Sequence, residues 1–187
     1  DVTVNTVAGD GTLRLDLNDG NASIADTVAQ GLSGTTYTTG ETFTIDNTAP
    51  SVTSIVRKAG ETNPTTGAAV IYTVTFSESV SPIATGDFAL TTTGTASGSI
   101  ASVSAASGTT VDVTVNTVAG DGTLRLDLND GNASIADTVA QGLSGTTYTT
   151  GETFTIDNTA PSITSIVRKA GETNPTTGAA VIYTVTF

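Results

Sequence analysis

Apolar and polar residues alternate with a period of two along much of the chain. Val70, Tyr72, Val74 and Phe76 share one face of an extended segment, as do Val111, Val113 and Val115, and then Leu124, Leu126 and Leu128. Successive side chains of a strand point to opposite faces, so these residues are expected to form core faces. No stretch carries a helical period. Gly, Ser, Asn and Asp clusters separate the runs of Val, Ile, Thr, Tyr and Phe, as turns separate short strands. The pattern predicts an all-β chain, with seven strands in its middle: Ser51–Arg57, Ala68–Phe76, Phe88–Thr92, Ser97–Ser104, Thr110–Thr117, Thr123–Leu128 and Tyr148–Ile156. Arg125 and Asp127, which alternate with the leucines, are expected to face solvent, as are Asp112 and Thr114.

The segment beginning at Asp1 recurs at Asp112, an offset of 111 residues, and between Asp1–Phe76 and Asp112–Phe187 only Val52 against Ile163 differs. The sequence DNTAP, at Asp46–Pro50 and again at Asp157–Pro161, marks where proline ends a strand and a short linker begins. One complete unit is expected over residues 47–157, preceded by the later part of a unit in 1–46 and followed by the first part of another in 158–187. A repeat of this length is too long for a solenoid coil and suits a sandwich of about 100 residues. The count and even spacing of strands favour an immunoglobulin-like Greek-key β-sandwich over a barrel. The flanks lack any counterpart of Ser77–Val111, so they are not expected to combine into one closed sandwich, and the chain's ends are not expected to be natural domain ends.

Charge narrows the functions. Eighteen acidic and six basic residues leave a net charge of −12, which repels nucleic acid and anionic membranes and attracts cations. No apolar run is long enough to span a bilayer, and no charged-then-apolar leader starts at Asp1, so any secretion or anchoring signal is expected outside this segment. Histidine and cysteine are absent, as are methionine and tryptophan. That removes the commonest general base, thiol nucleophiles, disulfides and the usual zinc or copper ligands, and an enzyme is not expected.

Carboxylates are the plentiful reactive groups. In a sandwich whose strands run alternately up and down, Glu78, in the loop after the second strand, and Asp130 and Asp137, in the long loop NDGNASIAD, fall at the end where linker residue Asp46 enters. Glu61, in the first loop, and Asp121, in the turn AGDGT, fall at the other end, near the departing Asp157. Oxygen ligands gathered from several loops suit calcium, which takes six to eight oxygens in loose geometry. The alternative is that Asp, Asn and Gly occur there because turns favour them and because surface acids keep a protein soluble. DLNDGN at Asp127–Asn132 lacks the ligand spacing of a helix-loop-helix calcium site. Gly120–Gly122 reads as a hairpin turn, since no helix follows it to make a phosphate loop. Threonine-rich TYTTGETFTI reads as a solvent-facing strand. Asn21-Ala-Ser and Asn132-Ala-Ser fit a glycosylation pattern too short to carry weight, and Arg57-Lys58 reads as a basic pair neutralised by nearby acids.

The residues YTVTFSESV, GDGTLRLDL, NDGNASIAD and TFTIDNTAP resemble the repeat of bacterial immunoglobulin-like domains in very large secreted surface adhesins of the RTX-adhesin type. The resemblance covers the full unit and, through the repeat, both flanks. It implies an extracellular, cell-surface string of near-identical sandwiches, exported by type I secretion, that holds a distal binding domain away from the cell in adhesion and biofilm formation. It also implies calcium between modules, with junction roles for Asp46, Glu78, Asp130 and Asp137 at one junction and Glu61, Asp121 and Asp157 at the other. Where related repeats read I-x-D-x-x-G-N-x-L, this chain has Ile135, Asp137, Ala140, Gln141 and Leu143. The expected partners are the neighbouring repeats of the same chain. Two other readings stay open: a filament or surface-layer subunit completed by strand exchange between molecules, and a glycan- or ligand-binding module, against which stands an aromatic content of only 5%.

Overall fold

A computed structural model describes residues 1–187. The chain is all-β, with a single 3-10 turn at Thr85–Asp87. The first flank holds β1 (Gly11–Arg14), β2 (Leu17–Asn18), β3 (Thr36–Tyr37) and β4 (Thr42–Ile45). The middle holds β5 (Val52–Arg57), β6 (Ala69–Val80), β7 (Phe88–Thr92), β8 (Ser97–Val103), β9 (Gly108–Ala119), β10 (Gly122–Asn129), β11 (Thr147–Tyr148) and β12 (Thr153–Ile156). The last flank holds β13 (Ser165–Arg168) and β14 (Tyr183–Thr186).

Two antiparallel sheets form in the middle segment. One has the order β5-β6-β9-β8; in the other, β10 lies between β7 on one side and β11 and β12 on the other. Their inner faces share one cluster of 19 buried apolar residues, all between Ile55 and Ile156. Val70, Tyr72 and Val74 come from one sheet, and Leu124, Leu126 and Leu128 from the other. The three alternating sets read from the sequence are therefore core faces. Tyr72 ties the sheets together: its hydroxyl donates to the Leu124 carbonyl at 2.5 Å, and its ring meets Phe154 edge-on, with centroids 5.1 Å apart. Burial pushes the Tyr72 phenol well above its ordinary value, so the group is a permanent donor at neutral pH. Tyr72→Phe is expected to cost about 1–2 kcal/mol, since it deprives a buried carbonyl of its donor, and a lower urea midpoint with an unchanged slope would register it.

Four expectations need correction. The second strand does not stop at Phe76 but runs to Val80, so Glu78 lies within β6 and not in a loop. Ser77 N–H donates to the Ser51 carbonyl, Val80 pairs with Gly108, and the inward phase of Phe76 carries through Glu78 to buried Val80. The last strand is split, and the backbone between its halves turns toward the other sheet: Glu152 N–H donates to the Ile55 carbonyl at 3.0 Å. Gly151 permits that approach, because a Cβ there would lie 2.9 Å from the Ile55 oxygen. Asp127 is buried instead of facing solvent, held by Arg125 at 2.6 Å and by the Thr91 hydroxyl at 2.6 Å on the neighbouring strand β7. Asp112 and Thr114 are half-buried, with Lys58 covering Asp112 at 2.7 Å.

The flanks repeat the local pairing of the middle. Gly11↔Ile45 to Arg14↔Thr42 in β1 and β4 is the register of Gly122↔Ile156 to Arg125↔Thr153 in β10 and β12. Likewise Ser165↔Thr186 to Arg168↔Tyr183 in β13 and β14 matches Ser54↔Thr75 to Arg57↔Tyr72 in β5 and β6.

Candidate metal centre at the junction

At the end where the linker enters, three carboxylates converge. Oxygens of Asp46, Glu78 and Asp137 all lie within 4.8 Å of one another. The strand extension past Phe76 produces this arrangement. Ser81 and Ala136 exchange backbone hydrogen bonds of 2.8 and 3.0 Å, which pins the end of β6 beside the residue preceding Asp137. Asp137 is buried and oriented by its own loop: Oδ1 accepts the Val139 and Gln141 backbone N–H groups, each at 2.8 Å. Gln141 ties loop to linker, its side-chain Nε2 donating to the Asp46 carbonyl at 3.1 Å and to Asp137 Oδ2 at 3.3 Å. Gln141 thus places a side-chain amide beside the cluster.

Electrostatically the cluster is uncompensated. The chain's four ion pairs are Arg14–Asp16, Arg57–Glu152, Lys58–Asp112 and Arg125–Asp127, and none involves a cluster carboxylate. Desolvation, and then the charges of Asp46, Asp137 and Asp10, hold the Glu78 carboxyl above the ordinary glutamate range. A carboxylate raised in the folded state opposes folding once it ionises, so its destabilisation is absent below the ordinary range and grows as pH rises through the raised value. A cation reverses that preference by favouring the ionised form. Calcium binding is accordingly expected to weaken as pH falls from neutral into the range where Glu78 takes up its proton, and to release protons there, measured by titration calorimetry in buffers of different ionisation enthalpy.

Asp130 is not in the cluster. It is buried and closes its own loop, accepting from Ser134 N–H at 3.0 Å, the Ser134 hydroxyl at 3.2 Å and Ile135 N–H at 3.1 Å. Asp19, its counterpart in the first flank, makes the same three bonds. At the departing end Glu61, Asp121 and Asp157 do not assemble a three-carboxylate group. Glu61 closes a turn through its backbone N–H to the Lys58 carbonyl. Asp157 N–H donates to the Thr65 carbonyl, and its carboxylate accepts from Thr159 N–H at 3.3 Å.

Asp121 has a different task. Its carboxylate accepts the Asn158 N–H at 2.6 Å and the Thr159 hydroxyl, while Asn158 Nδ2 donates to the Gly120 carbonyl at 2.9 Å. Asp10 makes the same latch with Asn47, Thr48 and Gly9 at the first junction. The threonine hydroxyl first, and then the linker N–H, hold both carboxyls below the ordinary range, so the latch is set throughout neutral pH. Asp10 thus adds a fourth charge beside Glu78 from the preceding unit. Asp10 is absent from the residues expected at the junction, although the 111-residue offset from Asp121 points to it.

Comparison with family models, with curated proteins and with solved structures returns no match for this chain. The junction geometry therefore carries the functional reading. Asp46, Glu78 and Asp137 are the residues that could hold a metal ion.

Proposed function

We propose that this chain is a stretch of extender repeats from a bacterial cell-surface adhesin, in which calcium bound at Asp46, Glu78 and Asp137 fixes each unit relative to the next. The carrying observation is that the linker carboxylate and two carboxylates of the following unit converge with no basic side chain to balance them. A cation there cross-links the entering linker to the body of the unit, and the latches formed by Asp10 and Asp121 hold the adjoining turns to the same linkers. Together they turn a flexible joint into a stiff one. The pairing orders β5-β6-β9-β8 and β7-β10-β12 favour the immunoglobulin-like reading, since they follow the two-sheet order of that fold.

The oxygen-only donor set favours calcium over softer metals, and its assembly from a linker, a strand end and a loop favours a large, geometrically tolerant ion over magnesium. Extracellular modules bind calcium with dissociation constants of about 10⁻⁴–10⁻³ M, and this site belongs to that class. Its role is structural: the only abundant ionisable groups are engaged in turns, latches and the junction. Following the melting temperature against calcium, magnesium and a chelator tests the assignment. Calcium at about 100 times its dissociation constant adds about 2.7 kcal/mol, a rise of roughly 10 °C for a unit of this size, with magnesium giving less. Equal curves in calcium and chelator would remove the cation from the account.

A further inference from the structure

The first and last strands of the middle unit touch, although they belong to different sheets. β5 is the edge of β5-β6-β9-β8, and β12 flanks β10 in the other sheet. Glu152 N–H donates to the Ile55 carbonyl at 3.0 Å, and the Glu152 carboxylate accepts Arg57 N–H at 2.9 Å and Arg57 Nε at 3.3 Å. The loop after β5 continues the contact beyond the end of that strand. Thr65 N–H donates to the Thr155 carbonyl at 3.0 Å, Asp157 N–H to the Thr65 carbonyl at 3.1 Å, and Thr155 N–H to Asn63 Oδ1 at 2.7 Å. Gly151 admits the close approach, since a Cβ there would lie 2.9 Å from the Ile55 oxygen and 3.0 Å from the Ile55 Cβ.

The direction of these elements gives the contact a mechanical meaning. β5 starts at the entering end, where Val52 pairs with Phe76, and runs toward the departing end. β12 runs the same way and finishes with Ile156 beside Gly122, next to the departing linker. The bridge between Thr65 and Ile156 is accordingly parallel. Tension along a string of units pulls β5 by its first residue and β12 by its last, in opposite directions. Parallel strands pulled in that way slide along each other, so the bonds between them are loaded together and not one after another.

We propose that this contact is a tension clamp, through which the unit keeps its fold while force passes along the string. The inference rests on the extender reading, because an end-to-end string is what loads the unit in this direction. Force enters on one sheet through β5 and leaves on the other through β12, and the clamp is where those two strands meet directly. Glu152 is its central side chain. The Arg57 N–H first, and then the guanidinium charge, hold the Glu152 carboxyl below the ordinary glutamate range, so it accepts both bonds throughout neutral pH. Every bond in the clamp is between protein groups, so it needs no cation.

The chain contains no cysteine, so thiols introduced in pairs define where force is applied. Ala49→Cys with Ala160→Cys sets the handles one repeat apart and loads the contact in shear. Ala59→Cys with Ala160→Cys sets both exposed handles at the departing end, where the contact peels open from Thr65 and Asp157 inward. In single-molecule pulling with chelator present, unfolding at the same force is expected to be about a hundredfold slower in shear, because bonds broken together add their barriers. Glu152→Ala removes the two side-chain bonds to Arg57 and leaves the core intact, since Glu152 is exposed. It is expected to speed unfolding about tenfold in shear and to leave peeling unchanged, because peeling reaches Glu152 last. Glu152→Gln, which keeps an acceptor for the Arg57 N–H, is expected to recover most of the loss. Equal rates in the two geometries overturn the inference. So does a Glu152→Ala effect of the same size in both, which marks an ordinary contribution to stability. Calcium separates the clamp from the reading beneath it: junctions indifferent to calcium beside a unit that resists shear would fault the cation alone, and calcium-stiffened junctions beside a unit that yields equally in both geometries would fault the clamp alone.

Discussion

Phe154→Ala is expected to destabilise the middle unit by about 3–5 kcal/mol, while Phe43→Ala, the same residue in the same local sequence, changes its stability by less than about 0.5 kcal/mol. Phe154 is fully buried, packs edge-on against Tyr72 and carries the Arg57 guanidinium 5.9 Å from its ring centre. Its removal leaves a cavity that two cross-bonded sheets cannot collapse into. Phe43 has identical neighbours in sequence and pairs in identical register, yet its ring faces solvent. The difference measures what tertiary packing adds to a strand pair. Chemical denaturation of both variants at a concentration where the chain is monomeric reads it directly. A Phe43→Ala effect as large as that of Phe154→Ala would mean that the flank packs on a core of its own.

Glu78→Gln is expected to change sign with calcium. In chelator the substitution raises the melting temperature, because it deletes a charge that is partly desolvated and faces Asp46, Asp137 and Asp10. With calcium it lowers the melting temperature relative to the parent, because a neutral amide oxygen replaces a carboxylate ligand and weakens binding by about tenfold or more. A site that never holds a cation gives the first effect and not the second. A glutamate held by a protein donor gives neither, and no such donor acts on Glu78.

The strand faces were readable from alternation because each is buried on one side only. The end of β6 was harder. Ser77-Glu78-Ser79 looks like a polar turn, and the strand continues because Val80 pairs with Gly108 across a bulge, a long-range contact with no local signature. The break in the last strand falls at Gly151 in a segment rich in threonine and aromatic residues, which favour strands, and its cause, the Ile55 carbonyl, lies nearly a hundred positions away. Asp127 occupies the outward phase, as expected, but its burial depends on Arg125 and Thr91 folding over it. Of the junction, strand polarity placed Asp46, Glu78 and Asp137 at one end and the structure joins them. Polarity cannot tell which acids reach inward. Asp130 turns into its own loop, Asp121 grips the linker, and Glu61 stays apart from both.

The most direct measurement is small-angle scattering of an array of several complete units, in calcium and then in chelator, with melting temperature followed on the same samples. Cation-stiffened junctions predict a longer particle and a higher melting temperature in calcium, both lost on chelation while each sandwich stays folded. An array whose length and melting temperature are the same in both conditions would contradict the account, and would leave the Asp10 and Asp121 latches to hold the linkers without a metal ion.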